Sequence, residues 1–167
     1  MTWYPCKPTP GGPPGGRLHL QLAADPAWAQ EPKFDGVRCI ASVSKGWVTL
    51  TSRTGKPLLA SAEVVESLRD GPTATYDCEL VRRHVLWVFD APNSLNFWAG
   101  RRALLELEPW SAAVRLVPLL EGMAGYTEAL DMGAEGVVFK RRSSPYPQAT
   151  RIGKLTRNWF KIKGATP

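Results

Sequence analysis

The sequence contains little cysteine and histidine, with three cysteines and two histidines among 167 residues. An odd number of widely separated cysteines matches neither a disulfide framework nor a zinc site, and it is typical of proteins from a reducing compartment. The two histidines, His19 and His84, are isolated and have no metal-ligand spacing between them. We therefore expect neither disulfides nor a zinc centre.

The sequence also lacks an apolar run of membrane-spanning length, and its N-terminus has no charged-then-apolar signal pattern. We therefore expect a soluble protein of the cytoplasm that has no membrane partner. The hydrophobic content of 44% is close to the globular average, and 167 residues suffice for one domain with a real core.

Acidic residues are missing from the last part of the chain, and the formal net charge of the whole chain is +6. No Asp or Glu follows Glu135, whereas these basic residues do: Lys140, Arg141, Arg142, Arg151, Lys154, Arg157, Lys161 and Lys163. Tyr146, Trp159 and Phe160 are interleaved with them. A solvated basic tail is one explanation. We favour a surface that follows a nucleic-acid backbone, because such surfaces combine aromatic and basic side chains.

The N-terminal residues are rich in proline and glycine. Residues 1–16 include the run PCKPTPGGPPGG, whose composition predicts a flexible arm that builds no core. From residue 17 onward the pattern is globular. Leu18, Leu20 and Leu22 alternate with polar residues, which predicts a short strand.

The rest of the chain is dominated by predicted strands. Strands are predicted at 37–44, 47–52, 74–81, 85–89, 114–119, 136–140 and 158–162, and helices at 61–69, 97–107 and 127–132. Lys45-Gly46 is a hairpin signal between the first two of these strands. We therefore predict one α+β domain over residues 17–167, with antiparallel β-sheets flanked by helices.

Lys33 lies in a K-x-D-G-x-R pattern between two of the strand-like runs. A lysine that attacks a phosphoryl group must be neutral, so such a site has to favour the uncharged amine by burial, a neighbouring cation or a metal. Gly36 permits a tight turn, and Arg38 follows at a spacing that lets it return to the same site. The pattern alone is more typical of a lysine in a hairpin turn.

Five further segments carry residues suited to nucleotide chemistry. In chain order they are Ser52-Arg53-Thr54-Gly55, Tyr76-Asp77-Cys78-Glu79-Leu80, Trp87-Val88-Phe89-Asp90, Glu135-Gly136-Val137-Val138-Phe139-Lys140 and Trp159-Phe160-Lys161-Ile162-Lys163. In the second segment two carboxylates stand at positions i and i+2 of a predicted strand, and hence on one face. In the last segment two lysines also stand at positions i and i+2 of a predicted strand, and hence on one face.

These six pieces, in this order and at these spacings, resemble the motifs of the covalent lysyl-nucleotidyltransferase superfamily, which contains DNA ligases, RNA ligases and mRNA capping enzymes. The resemblance extends from about Glu31 to Lys163. Within the superfamily it is closest to ATP-dependent DNA ligases. Four features favour that group: the run E-P-K-F-D-G-V-R, the run S-R-T-G-K-P, the pair Arg101-Arg102 and the segment Ser144-Pro145-Tyr146. The resemblance implies that the chain folds as a nucleotidyltransferase (ATP-grasp-like) domain.

The resemblance also implies a role for each matching residue. Lys33 corresponds to the lysine that carries AMP, and Glu31 to a residue that recognises the adenine edge. The remaining assignments are Arg38 and Glu79 for the AMP ribose or phosphate and the nick, Arg53 for the nucleotide or the 5′-phosphate, Phe89 for stacking on adenine, Glu135 for the metal, and Lys161 and Lys163 for the phosphates.

The cofactors implied are ATP and Mg²⁺ or Mn²⁺, with Glu79 and Glu135 as metal ligands and Asp35 nearby. Phosphoryl transfer depends mainly on positioning and charge neutralisation, which lysines and a divalent cation supply. Nucleic-acid contacts are expected from basic residues of the last third of the chain: Arg141, Arg142, Arg151, Lys154 and Arg157. We expect nicked duplex DNA as the partner, with RNA as an alternative.

Several of these residues have a structural alternative. The less favoured alternatives are a place in the core for Phe89, a solvated strand face for Asp77 and Glu79, and an edge strand protected by charge for Lys161 and Lys163. For Arg101 and Arg102 a helix surface is the favoured interpretation. We predict structural roles for Asp77, Asp90 and Tyr146.

Two features depart from the family pattern. Cys78 stands between the two acids, at a position where the family has glycine. A strand tolerates cysteine at such a position. The chain also ends at Pro167, without the OB-fold domain that usually follows. We expect a minimal ligase, an excised domain, or a chain whose missing surface comes from a separate partner chain.

The sequence thus predicts an ATP-dependent DNA ligase that seals nicks through lysyl-AMP and an adenylated 5′-phosphate. The alternatives are an RNA ligase or RNA-capping nucleotidyltransferase and, from another class, a non-catalytic nick-binding module derived from a ligase.

Overall fold

The computed structural model describes residues 3–93 and 96–164. Its elements in chain order are β1 (Tyr4–Pro5), β2 (Lys7–Pro10), α1 (Arg17–Ala24), β3 (Trp28–Pro32), β4 (Val37–Ser44), β5 (Trp47–Ser52), α2 (Ala62–Arg69), β6 (Ala74–Val81), β7 (Val85–Asp90), α3 (Trp98–Glu106), β8 (Val114–Leu116), α4 (Ala124–Asp131), β9 (Gly136–Arg141), β10 (Gln148–Ala149) and β11 (Leu155–Lys163). The predicted α+β class is confirmed.

The described residues fall into two compact units, each with its own core. The first unit contains residues 3–35 and 118–164, and the second contains residues 36–117 apart from 94 and 95. The prediction of one adenylation domain over 17–167 stays a prediction. Its last three residues, like residues 1 and 2 of the predicted arm, lie outside the described part of the chain.

The first unit is built on a four-stranded sheet in the order β2-β11-β9-β3, with a short antiparallel pair β1-β10. The strands of the sheet pair antiparallel except for β2 and β11, which pair parallel. Val137, Phe139 and Ile162 point to one face of the sheet and are buried against residues of α1 and α4. Burial of a side chain of this size contributes roughly 1.5–3 kcal/mol.

The second unit is built on a five-stranded sheet in the order β5-β4-β6-β7-β8. Alternate residues of β4 and β6, such as Cys39, Ala41 and Cys78, are buried in its core, and α2 covers them with Val64 and Leu68. The predicted strands at 37–44, 47–52 and 74–81 have the bounds that the structure gives to β4, β5 and β6. The pattern was readable because apolar residues alternate along one face of β4 and of β6.

The predicted strand around Leu18, Leu20 and Leu22 is wrong, since these residues lie in helix α1. Leu18 and Leu22 are four residues apart and therefore share one face of a helix, which packs on the core. Leu20 points away and is half exposed. An alternating triplet of leucines matches both periodicities when no longer pattern is available.

The prediction of a flexible arm is also wrong for Tyr4–Pro10, which forms β1 and β2. The N–H groups of Lys7 and Gly11 donate to the carbonyls of Lys154 and Lys161, at 2.8 and 2.9 Å. Prolines occupy the alternate positions 8 and 10, where an edge strand needs no N–H donor. The composition that suggested flexibility is thus compatible with the outer strand of a sheet.

Within residues 3–93 and 96–164, none of the helices is long and apolar enough to cross a membrane.

Candidate functional site

One face of the sheet in the first unit packs on the core, and the opposite face carries most of the charged motif residues of this unit. Cross-strand pairing aligns Glu31 of β3 with Val138 of β9, and Val138 with Lys161 of β11. Because side chains alternate along a strand, every second residue shares this face. The residues of the face are Glu31, Gly136, Val138, Lys140, Trp159, Lys161 and Lys163, with Lys33 directly after β3.

Lys33 is joined to the start of β9 through its backbone and its side chain. Its N–H donates to the Gly136 carbonyl at 2.8 Å, and its carbonyl accepts from the Glu135 N–H at 2.9 Å. The Lys33 ammonium forms an ion pair with Oε1 of Glu135, and Lys163 Nζ lies 3.1 Å from Oε2 of the same carboxylate. One carboxylate therefore holds two lysines that are partly open to solvent.

Gly136 is required by the close approach of β9 and β11. Its φ of +154° is one that L side chains rarely adopt, and an added Cβ would lie 2.2 Å from the Ile162 carbonyl oxygen. Gly136 thus allows the Glu135 carboxylate, one residue earlier, to contact Lys163, which pairs with Gly136 across β9 and β11.

The ionisation of this cluster is set by its neighbours. Burial raises the pKa of Glu135, but hydrogen bonds and charge from Lys33 and Lys163 outweigh burial and leave that pKa below its usual value. Burial lowers the pKa of Lys161, and the positive charges of Lys33 and Lys163 lower it further. Three lysines thus surround one ionised carboxylate, an excess of positive charge that suits a phosphate chain.

Glu31 and Lys140 form a second ion pair, which is buried. Lys140 Nζ lies 2.6 Å from Oε2 of Glu31, and both side chains are 2% exposed. The Lys140 ammonium also lies 4.7 Å from the ring centre of Trp159, which meets Tyr146 edge to face. Glu31 therefore contacts a lysine here, and its predicted contact with adenine stays a prediction.

Lys140 is the residue that sequence reasoning missed. It closes the segment Glu135-Gly136-Val137-Val138-Phe139-Lys140, and strand alternation places it on the face of Glu31. Both signals were present in the sequence. What the sequence could not supply is the pairing of β3 with β9.

In the second unit, Arg38 makes a two-pronged ion pair with Asp77. Its Nε donates to Oδ1 at 2.9 Å and its Nη2 to Oδ2 at 2.5 Å, and Asp77 is fully buried. The Arg38 guanidinium also lies 5.6 Å from the centre of the Phe89 ring. Glu79 is paired with Arg38 across β4 and β6. Arg38, Glu79 and Phe89 are all partly exposed, so a core position for Phe89 is not observed.

Arg53 lies in the turn after β5 and is partly buried. Its segment turns at Gly55, where φ is +82°. The structure thus places Arg53 directly after β5, and its contact with a nucleotide or a 5′-phosphate stays a prediction.

The prediction that Arg101 and Arg102 lie on a helix surface is wrong, because both are buried. Arg101 Nε donates to Asp90 Oδ1 at 2.5 Å and its Nη2 to Oδ2 at 3.0 Å. Arg102 donates to the Val117 carbonyl at 2.7 Å and to Glu106. Both guanidinium groups are therefore satisfied inside the second unit, which is how an arginine tolerates burial. The arginine contacts of Asp77 and Asp90 are compatible with the structural roles predicted for these two residues.

A divalent cation fits the donor chemistry of Glu135, since Mg²⁺ takes one or two carboxylates and keeps several waters. Glu135 is ionised and partly exposed. Among residues 3–93 and 96–164, no group of three or more His, Cys, Asp and Glu side chains is arranged to hold a metal. Glu79 as a second ligand stays a prediction.

The basic residues predicted to bind nucleic acid are exposed in the first unit. They are Arg141, Arg142, Arg151, Lys154 and Arg157. Arg142 is partly committed to the fold, since its Nε donates to the Pro26 carbonyl at 3.1 Å.

Neither a protein-family model nor a curated protein matches the sequence. Solved structures do match. A mycobacterial DNA ligase D complexed with ATP and MES is 26% identical, with a TM-score of 0.71 over 96% of this chain and 60% of that chain. The ligase domain of LigD from M. tuberculosis is 25% identical, with a TM-score of 0.70 over 96% of this chain and 59% of that chain.

An archaeal ATP-dependent RNA ligase is 21% identical, with a TM-score of 0.55 over 95% of this chain and 47% of that chain. This chain therefore spans about 60% or less of the length of these ligases. Its fold is that of the adenylation (nucleotidyltransferase) domains of ATP-dependent DNA ligases, and the resemblance that its motifs predict is confirmed.

Proposed function

We propose that this chain transfers AMP from ATP to Lys33 and then to the 5′-phosphate of a nick, and so acts as a DNA ligase. The observation that carries the proposal is the cluster around Glu135, which holds the Lys33 and Lys163 ammonium groups, with Lys161 beside them on the same sheet face. A nucleophile, a carboxylate and two further cations are the equipment that phosphoryl transfer from ATP needs.

In the first step Lys33 Nζ attacks the α-phosphorus of ATP. A nitrogen–phosphorus bond forms, and the bond between the α-phosphorus and the bridging oxygen breaks to release pyrophosphate. Lys33 must lose a proton to solvent before the attack. A divalent cation held by Glu135 would take the place of the Lys33 ammonium at that carboxylate and so leave the amine free to react. Lys161 and Lys163 balance the negative charge of the phosphates.

In the next two steps AMP moves from Lys33 to a 5′-phosphate, and a 3′-hydroxyl then displaces it. The nitrogen–phosphorus bond breaks as a phosphoanhydride forms, and the phosphoanhydride breaks as the phosphodiester forms. A bound Mg²⁺ or Mn²⁺ would neutralise charge on the phosphates, and Glu135 would hold it, with Glu79 as the proposed second ligand. Such sealing serves DNA repair or replication.

The residues of the second unit have proposed roles that come from the resemblance. Arg38 and Glu79 would hold the ribose or phosphate, Arg53 the 5′-phosphate, and Phe89 the adenine ring. A partly exposed aromatic ring beside a fixed guanidinium supports the last of these, because purines stack on such faces. Glu31 would recognise the adenine edge.

The substrate we propose is nicked duplex DNA. The two ligase D structures have a higher identity and TM-score than the archaeal RNA ligase, which supports RNA as the second candidate. Exposed arginines and a lysine of the first unit supply charge for a phosphate backbone of either kind. A separate chain with an OB-fold-like surface is the proposed partner for binding duplex.

A sealing assay tests the proposal. Nicked duplexes of DNA and of RNA are offered with ATP, and in parallel with a 5′-phosphate that already carries AMP. We expect wild type to seal the DNA nick, and Lys33→Ala to seal only the pre-adenylated one. Lys45→Ala, which removes an exposed lysine outside the motifs, is the control. Binding of nicks without any sealing of the pre-adenylated substrate would identify a non-catalytic module instead.

A further inference from the structure

The turn between β6 and β7 has two consecutive arginines in a left-handed backbone conformation. The φ angles of Arg82 and Arg83 are +48° and +66°, and the His84 N–H donates to the Val81 carbonyl at 3.1 Å to close the turn. Positive φ at both central residues defines the hairpin turn for which Asn-Gly is preferred. Arginine is a costly choice at these positions because of its Cβ.

The strained turn is held in place by its surroundings. The Ser61 N–H, just before α2, donates to the Arg83 carbonyl at 2.7 Å, and Val81 pairs with Val85 across the hairpin. Both arginine side chains are exposed, and neither forms an ion pair with a residue in the described part of the chain. The fold thus fixes the backbone of this turn but gains no charge pairing from its two guanidinium groups.

Strained backbone conformations are concentrated at functional sites. We propose that the Arg82-Arg83 turn contacts the phosphate backbone of the nucleic acid that this chain acts on. Guanidinium groups bind phosphate with two parallel hydrogen bonds, and a rigid turn presents them with little loss of freedom. The proposal rests on the proposed ligase function.

A cation and an aromatic ring lie on the two strands that follow this turn. Trp87 follows on β7, and the Arg115 guanidinium of β8 lies 5.5 Å from the centre of its ring. Trp87 is partly exposed and Arg115 is exposed. Basic and aromatic residues in succession are typical of surfaces that follow a nucleic-acid backbone.

The hairpin between β4 and β5 supplies a matched control. Lys45 and Gly46 have φ angles of +51° and +77°, so a cation again occupies a left-handed position. Pairing of β4 with β6 places Val43 beside Ala74 at the start of β6, whereas Arg82 follows its end. The two turns thus lie at opposite ends of one strand. Arg69 is the nearest side chain to Gly46.

The test compares two variants that each remove two positive charges. Arg82→Asn/Arg83→Gly installs the residues that the turn prefers, and Lys45→Asn/Arg69→Gln removes charge at the far hairpin. Binding of each to a labelled nicked DNA duplex with a 5′-phosphate is measured between about 50 and 200 mM salt.

We expect the Asn-Gly variant to melt about 2–4 °C higher than wild type, because the strain is relieved. Its affinity for the nick should nevertheless fall about tenfold, with the salt slope reduced by about 1.5–2. The far-hairpin variant should stay within about twofold of wild type. Arg82→Lys/Arg83→Lys, which retains the charge, should keep the wild-type salt slope.

Three results would overturn the proposal: equal losses in both charge-removing variants, an unchanged affinity in the Asn-Gly variant, or no nick binding by wild type. Formation of lysyl-AMP is measured on the same samples and should be normal in the Asn-Gly variant. Failure of wild type to form lysyl-AMP contradicts the proposed function instead, so the two failures are distinguishable.

Discussion

Lys33 and Glu135 are bound to each other twice, through a 2.9 Å hydrogen bond from the Glu135 N–H to the Lys33 carbonyl and through an ion pair between their side chains. They are 102 positions apart in the sequence. The backbone hydrogen bond fixes the positions of the two Cα atoms, so the ion pair depends on the pairing of β3 with β9. The position of the Lys33 amine is therefore set by the pairing of these two strands.

Glu135→Gln should abolish most of the activity without unfolding the chain. The amide keeps the shape of the side chain but lacks the negative charge that pairs with Lys33 and Lys163 and that would hold a divalent cation. We expect lysyl-AMP formation to fall by a factor of about 100 or more, as is common when a preorganised electrostatic group is lost. Glu128→Gln, an exposed residue of α4, is the control and should leave the rate unchanged.

The acid sensitivity of the fold should depend partly on Glu135. Its pKa is lowered in the folded chain from a usual value of 4.5, so its stabilisation is present above 4.5 and is lost as pH falls through the lower folded value. The group is partly exposed, so we expect less than about 1 kcal/mol. Urea unfolding of wild type and Glu135→Gln between pH 7 and pH 3 measures it. A stability difference that does not shrink at low pH would contradict this origin.

Lys161→Met should separate stability from activity. Burial and neighbouring positive charges lower the pKa of Lys161, so its protonated form costs stability at every pH below that lowered value. Removing the charge should leave the free energy of unfolding unchanged or raise it by about 0.5 kcal/mol. The ATP concentration needed for half-maximal adduct formation should rise about tenfold, since a phosphate contact is lost. An unchanged ATP requirement, with Lys154→Met as control, would place Lys161 outside the site.

Gly136→Ala should destabilise the first unit. An added Cβ would lie 2.2 Å from the Ile162 carbonyl oxygen, so β9 and β11 would have to separate. We expect a loss of about 2–4 kcal/mol in the free energy of unfolding. Gly164→Ala is the matched control, because its Cβ would meet only the Tyr126 hydroxyl at 3.6 Å. Similar unfolding midpoints for the two variants would show that the strands can part easily.

Arg101→Met should destabilise the chain although it lies on a helix that looked solvent-facing in sequence. It would leave the buried Asp90 carboxylate without its two guanidinium hydrogen bonds, a change that costs about 3–5 kcal/mol. Removing both charges, in Arg101→Met/Asp90→Leu, should recover part of this loss. If the double variant is as unstable as the sum of the single variants, the pair is not coupled.

The sequence was sufficient for the strands of the second unit and for the order of the motifs. Alternation in β4 and β6 is long enough to identify period two, and each motif is a local pattern. Leu18 to Leu22 was too short to separate a helix from a strand. The proline-rich segment was wrongly predicted to be flexible, because its composition does not reveal that β2 pairs with the edge of β11.

The remaining differences come from contacts between distant residues. The burial of Arg101 depends on a carboxylate eleven positions earlier and on packing of α3, neither of which is a local signal. The pairing of Lys140 with Glu31 likewise follows from the register of β3 and β9. Local patterns therefore located the candidate site, whereas the partners of its charged groups required the folded sheets.

The most direct test of the central claim is to locate AMP on the protein. Wild type is incubated with ATP labelled at the α-phosphate and a divalent cation, and the labelled peptide is identified by mass spectrometry. We predict an acid-stable, hydroxylamine-labile adduct on Lys33 that is absent from Lys33→Ala and retained in Lys154→Ala. No adduct in wild type, or an adduct that persists in Lys33→Ala, would contradict the assignment of Lys33 as the nucleophile.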